Sequence, residues 1–243
     1  MHEMLTNILG RCSTANTNIC PTILYNEGWM TRLLVEISVE SKLKLPDVNF
    51  ANIRHWYSEG LLSSPFLART RKDVLAEGFT HADMALGDFY VDSANRGDIS
   101  VNGTDGIFGV IEAKMGSRLS PGTKNVPNYN QASRNLGCIA FNTLNTNHNI
   151  FFGVVAPEKK IEEHGIRAVV ESEAMLIQIT QRFDMYDKDS DIFALKERVL
   201  ERARNCRCFV LSYESWIEAL ADHPLYSALV EFKKQCYRFN RID

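Results

Sequence analysis

Glu112, Lys114 and Asp83 are the residues of this chain whose types and spacing point most directly to chemistry. Glu112 and Lys114 stand two apart near the end of an apolar run, Gly-Ile-Phe-Gly-Val-Ile-Glu-Ala-Lys-Met over 106–115. Strand side chains alternate between faces, so Phe108, Val110, Glu112 and Lys114 share one face while Ile107, Ile111, Ala113 and Met115 share the other. Charges on such a strand are unfavourable to bury unless they are paired or bind a metal. One reading is an ion pair at the rim of a sheet. The other is a site. Asp83 begins a second apolar run, and two carboxylates on neighbouring strands are what a hard divalent cation takes from a protein. A lysine beside them orients or helps deprotonate a water molecule and holds developing negative charge. Asp88, Asp98, Asp105 and Glu77 compete for the first carboxylate. Asp83 is preferred, because Asp88 faces the other way on a regular strand. Asp98 and Asp105 fall in a polar stretch read as a hairpin loop pointing to solvent, and Glu77 precedes the strand as a further acid near the site.

The elements that must position these groups follow from hydrophobic periodicity. A helix pattern covers about 26–42, with Met30, Leu33, Leu34 and Ile37 at helical spacing and Pro46 beyond its end. A mixed segment runs on to residue 79. Strands are expected over 83–91 and 106–115, separated by a loop over 92–105. A Gly/Ser/Pro/Asn loop over 116–128 leads to a helix over about 129–144, with Ala132, Leu136 and Ile139 on one side. A strand over 149–156 stops at Pro157. Helices are expected over 166–182 and 190–205, the second capped by Asp189 or Ser190; then a strand over 207–213 and helices over 214–221 and 225–238. This order predicts a single α/β domain with a mixed central β-sheet flanked by helices. It comprises an N-terminal arm over 1–24, a core over 25–157, and a mainly helical C-terminal part over 158–243 with one more strand.

Composition narrows the function classes. The chain has 243 residues, 45% apolar and 23% charged, which suffices for a core without disulfides or a structural metal. Its longest apolar runs, such as 151–156, fall far short of the roughly 18 residues of a membrane span. The first residues carry no signal-peptide pattern. No membrane association and a cytoplasmic location are the expectation. A net charge of −3 and an isoelectric point near 6.1 argue against a broadly basic nucleic-acid binder, so any such contact must come from a local patch or a metal ion. The six cysteines show no C-x2-C pair, which removes zinc-ribbon spacing and leaves reduced, buried thiols as the reading. Phosphate-loop, dinucleotide-loop, nucleophile-elbow and H-E-x-x-H patterns are missing from the sequence.

The order of these features resembles the PD-(D/E)XK nuclease superfamily, the fold of many restriction endonucleases. Ala82-Asp83 stands at the Pro-Asp position, with Ala in place of Pro, and Glu112-Ala113-Lys114 at the (D/E)-X-K position. The longer run Glu112-Ala-Lys-Met-Gly-Ser-Arg-Leu-Ser, followed by Asn130-Gln-Ala-Ser-Arg134, is similar to nucleases of this type. The resemblance covers about 25–157. It implies a restriction-endonuclease-like sheet and a metal-dependent nuclease, endonuclease rather than exonuclease, acting on nucleic acid and on DNA in preference to RNA. The implied cofactor is Mg2+, with Mn2+ as a substitute, held by Asp83, Glu112, the backbone carbonyl of Ala113 and an acid on the first helix, for which Glu27 fits best. Lys114 then serves the attacking water, and Gln131 approaches the site. A homodimer is expected by analogy alone. The rival reading is a catalytically inactive protein of the same fold that binds nucleic acid or a protein partner.

The remaining candidates have plainer readings beside the functional one. Glu27 flanks the apolar stripe of its helix, where the helix dipole alone favours an acid. Gln131 and Arg134 neighbour one another near a helix N-terminus, a place suited to a phosphate or simply to solvent. Ser117, Arg118 and Lys124 lie in the loop after Lys114 and are read as backbone contacts or as ordinary loop surface. Arg69 and Arg71 form a small basic cluster upstream of Asp83. Trp29, Trp56 and Trp216 are read as core residues.

Overall fold

The apolar and β-branched runs pair into one seven-stranded mixed sheet in this computed structural model, which describes residues 1–12, 18–70, 73–92, 97–123 and 126–242. The strands are β1 (His55–Leu62), β2 (Thr80–Gly87), β3 (Phe89–Asp92), β4 (Asp98–Val101), β5 (Ile107–Ala113), β6 (Asn149–Ala156) and β7 (Arg207–Ser212), in the order β3-β4-β1-β2-β5-β6-β7. β2 runs antiparallel to β1 and β5, whereas β5, β6 and β7 run parallel. Two glycines fix the register of the parallel part. Gly109 pairs with Phe151 and Gly153 with Phe209, and a Cβ on either glycine would meet its partner's ring at 2.4 Å. Each phenyl ring therefore lies over the bare backbone of the strand before it, and a one-residue slip would bring a side chain into its way.

Helices cover both faces. Described are α1 (His2–Leu9), α2 (Glu27–Glu40), α3 (Gln131–Asn142), α4 (Glu158–Glu163), α5 (Ile166–Val169), α6 (Ser172–Phe183), α7 (Lys196–Arg204), α8 (Tyr213–Glu218) and α9 (Tyr226–Asn240). One core joins Phe108, Val110, Phe152 and Val154 of the sheet to α3, α6 and α7. The other joins Ile111, Ala113, Phe151 and Phe209 to α2, α8 and α9. β5 thus divides its side chains between the faces as its alternation predicts, with Met115 continuing the second set. The expected α/β architecture, a mixed sheet with a mainly helical C-terminal part, is the one found. Among the described residues no helix is long and apolar enough to cross a membrane.

Several local expectations are corrected. The arm over 1–24 contains α1, and the mixed segment before residue 79 contains β1. The run over 83–91 is two strands, not one. Gly87 sits at φ +121°, and a Cβ there would lie 1.9 Å from the Ile107 carbonyl oxygen; the chain turns at this glycine and β3 leaves toward the sheet edge. The presumed loop over 92–105 carries β4, so Asp98 is a strand residue opposite Asp92 rather than a loop acid. Four mixed residues are too short for periodicity to reveal. The helix expected over 166–182 is divided into α5 and α6, and that over 190–205 begins with a 3-10 turn, where Ser190 Oγ accepts the Phe193 amide at 3.1 Å. Of the tryptophans, Trp216 is buried against Phe50, whereas Trp29 is 41% exposed beside Arg32.

Candidate active site at the end of the β2–β5 ladder

β2 and β5 pair from Gly87↔Phe108 to Met84↔Ile111, where the backbone pairing ends. One residue further on stand Asp83 and Glu112. The Ala113 amide donates not to a β2 carbonyl but to Asp83 Oδ2, at 2.8 Å. A side chain has taken over the end of the ladder, which holds the Asp83 carboxylate beside Glu112. Strict alternation also fails here, since Ala82 and Ala85 both join the α3-side core while Met84 joins the other.

Glu112 is fully buried and surrounded by donors. Its Oε1 accepts from Lys114 Nζ at 2.6 Å and from Gln131 Nε2 at 2.5 Å; its Oε2 accepts from Asn135 Nδ2 at 3.1 Å. Burial, and then the negative charge of Asp83, push its carboxyl up to about 8 against the opposing pull of Lys114. The cause is an imbalance of charge. Two carboxylates share one ammonium in a place shielded from water, so the pair holds on to a proton or attracts another cation.

Each partner is placed by its own element. Lys114, whose side chain is 13% exposed, continues the parallel ladder by donating its amide to the Val155 carbonyl at 2.8 Å. Gln131 opens α3, capped by Asn130, whose side chain accepts the Ser133 amide at 2.8 Å. The Gln131 amide also donates to the Ser120 carbonyl at 2.8 Å, which ties the loop after Lys114 to the helix that reaches Glu112. Asn135, one turn further along α3, is fully buried, and among the described residues its Oδ1 has no partner. The sequence reading passed over Asn135; the signal was an amide four residues after Gln131, inside an apolar helix stripe.

Glu27 lies in the first turn of α2, capped by Asn26, whose side chain accepts the Trp29 amide at 2.9 Å. Thr31 Oγ1 donates to the Glu27 carbonyl at 2.8 Å and meets Tyr213 Oη at 3.1 Å. Burial, and then the charges of Glu27 and Asp83, raise the Tyr213 hydroxyl, so Glu27 borders the site from the α2 side. It does not join Asp83 and Glu112 in a ligand cluster: among the described residues no group of three or more His, Cys, Asp or Glu is arranged to hold a metal ion. Two carboxylates remain, which is the usual protein share for Mg2+, and their excess of negative charge fits a cation on the chemistry of the donors.

The competing acids lie elsewhere. Asp88 is at the far end of the β2–β5 pairing and accepts the Ile107 amide at 3.1 Å. Glu77 is taken up by Arg182 Nε and Ser64 Oγ, both at 3.2 Å. Asp105 is exposed. Of the proposed nucleic-acid contacts, Ser117 and Arg118 are exposed in the loop after Lys114, and Arg69 is exposed between β1 and β2. Arg134 is half-buried on α3, one turn from Gln131. Arg71 and Lys124 lie outside the described residues. No known family model, curated protein or solved structure matches this chain.

Proposed function

We propose that this protein is a Mg2+-dependent nuclease that hydrolyses phosphodiester bonds within DNA at the Asp83/Glu112/Lys114 site. The observation that carries the reading is the meeting of two carboxylates and one lysine at a broken ladder end, where the acids outnumber the base. A divalent cation held by Asp83 and Glu112, with the Ala113 carbonyl as a further donor, would lower the pKa of a bound water and draw charge from the phosphate. The chain's own groups do the rest. Gln131 and Asn135 fix both oxygens of Glu112, which removes the reorganisation a free carboxylate would undergo. Lys114, close to Glu112 Oε1, places an ammonium where the attacking water loses its proton and where negative charge develops on the phosphate. Arg134, Arg118 and Ser117 flank this site as backbone contacts. The six free cysteines fit a reducing compartment such as the cytoplasm.

One observation favours a second reading, an inactive nuclease-fold protein that binds nucleic acid: both Glu112 oxygens already have protein donors. Incubation of circular, linear and single-stranded DNA with the protein, in Mg2+ or EDTA, separates the two. The nuclease reading expects Mg2+-dependent cutting, circles included, that is lost in Lys114→Ala. Binding without cutting by the unmodified protein supports the second reading, and equal cutting by Lys114→Ala removes the proposed site.

A further inference from the structure

The geometry points to a subsite beside the ladder end that holds one phosphate and one unpaired base, so that the substrate is a DNA strand with single-stranded character next to the cut. This inference rests on the nuclease reading and names its substrate class. It starts from a cavity of about 260 Å³ lined by Ala76, Glu77, Gly78, Phe79, Thr80, Thr123 and Arg134. Two of its residues lead directly to the site. Thr80 begins β2, three residues before Asp83, about 10 Å along a strand. Arg134 lies three residues after Gln131 on α3, hence one turn away on the same surface.

Among the described residues Arg134 has no salt-bridge partner, and its buried Nε has no hydrogen-bond partner. The polar groups whose fields it shares, the Tyr129 hydroxyl and the Cys138 thiol, are both held neutral by burial, the thiol pushed up to about 12. The acid in the wall, Glu77, is neutralised by Arg182 at 3.2 Å. The charges of Arg134, Arg182 and Glu77 therefore leave the cavity one positive charge in excess, carried by the Arg134 guanidinium in its wall. A phosphate group neutralises it.

Phe79 supplies the second half. It stands immediately before β2 in the wall of the same cavity, yet the residue is 43% exposed. Beside it Gly78 has open space where a side chain would stand, which leaves the approach to the ring clear. An exposed aromatic next to a cation is the pairing that binds single strands, with the base stacked on the ring and the phosphate on the charge. In a regular duplex the base faces are already stacked and give the ring nothing to bind.

Fluorescence anisotropy in EDTA reads binding apart from cutting. The probes are a labelled single-stranded DNA oligonucleotide and the blunt duplex of the same sequence, with the unmodified protein and Phe79→Ala, Phe79→Trp, Arg134→Ala and Arg134→Lys. Phe79→Ala is expected to weaken single-strand binding by about 5- to 150-fold with no change for the duplex, and Phe79→Trp to restore it. Arg134→Ala is expected to reduce the dependence of log K on log salt by about one contact, with Arg134→Lys retaining it. Single-strand binding unchanged in Phe79→Ala, or a salt slope unchanged in Arg134→Ala, overturns the subsite; circular dichroism confirms that each variant is folded. If the unmodified protein cuts no DNA in Mg2+ while these binding effects appear, the nuclease reading fails and the subsite stands. If it cuts and Phe79→Ala binds normally, the subsite alone fails.

Discussion

Asp83 accepts the backbone amide of Ala113 at 2.8 Å, so the residue that follows Glu112 is tied by its main chain to the acid that faces Glu112. The contact has two parts that mutation separates, an acceptor for the amide and a negative charge. Asp83→Asn keeps an oxygen for Ala113 and deletes the charge. It should leave stability nearly unchanged, lower the Glu112 carboxyl from its present value of about 8, and abolish Mg2+-dependent cutting. Asp83→Ala leaves a buried amide without a partner and should lose about 1–3 kcal/mol. Urea denaturation of both variants, beside a cutting assay, measures the two effects; equal destabilisation by Asn and Ala would show that the amide contact contributes nothing.

Glu112 predicts the sign of a pH dependence. An exposed glutamate ionises near 4.5, and here the folded state holds its proton up to about 8. Below pH 4.5 both states are protonated. Between pH 4.5 and 8 the unfolded chain has released a proton that the folded one retains, so stability falls as pH rises through this window. Glu112→Gln, neutral in both states, should remove this part of the slope, which is worth a few kcal/mol by pH 8. Thermal and urea unfolding at pH 5 and pH 8 provide the comparison, and identical slopes in the two proteins would show that Glu112 is ionised throughout.

Mg2+ competes with that proton. A carboxylate must be deprotonated to bind a metal, and a ligand that binds only the folded state stabilises it by mass action. Added Mg2+ should therefore raise the melting temperature more at pH 8 than at pH 6, and the increment should vanish in Glu112→Gln. Differential scanning fluorimetry across a Mg2+ titration checks this without a substrate. An increment that survives in both Glu112→Gln and Asp83→Asn places the ion elsewhere.

The sequence displayed the apolar half of this arrangement and concealed much of the polar half. Phe108, Val110, Ile111 and Ala113 alternate in the sequence as they do in the fold, and Lys114 reaches Glu112 because residues two apart on a strand share a face. The end of the β2–β5 pairing was not legible, since it depends on a side chain replacing a carbonyl. Asn135 was hidden for a related reason: an amide in an apolar helix stripe reads as an interruption until its partner on another element is known. β4 and the break at Gly87 depend on edge pairing and on one positive φ, neither of which leaves a periodic trace. The engagement of Glu77 by Arg182 was hidden because the two lie 105 residues apart.

Asn135 should therefore act through Glu112 rather than on substrate. Its Nδ2 donates to Oε2 at 3.1 Å while Lys114 and Gln131 occupy Oε1. Removing a group that orients a ligand typically lowers metal affinity or activity by about 10- to 100-fold. Asn135→Leu should show that loss chiefly as a higher Mg2+ concentration for half-maximal cutting, with DNA binding in EDTA unchanged. A fall in cutting with no change in Mg2+ dependence would deny the positioning role.

The Glu77–Arg182 pair, at 3.2 Å with side chains 8% and 0% exposed, is structural by the same reasoning. Arg182 also stacks on Phe66 at 4.3 Å and donates to the Leu75 carbonyl, so it pins the segment that leads into β2 against α6. Deleting one partner leaves a buried charge uncompensated and should destabilise by about 3–5 kcal/mol. Replacing both with apolar residues of similar size removes that charge, so Glu77→Leu with Arg182→Met should recover most of the loss caused by Glu77→Leu alone. Urea denaturation of the two single variants and the double variant forms the cycle that tests it. If the two single losses simply add in the double variant, the ion pair is not what holds this segment, and the stacking of Arg182 on Phe66 must carry it.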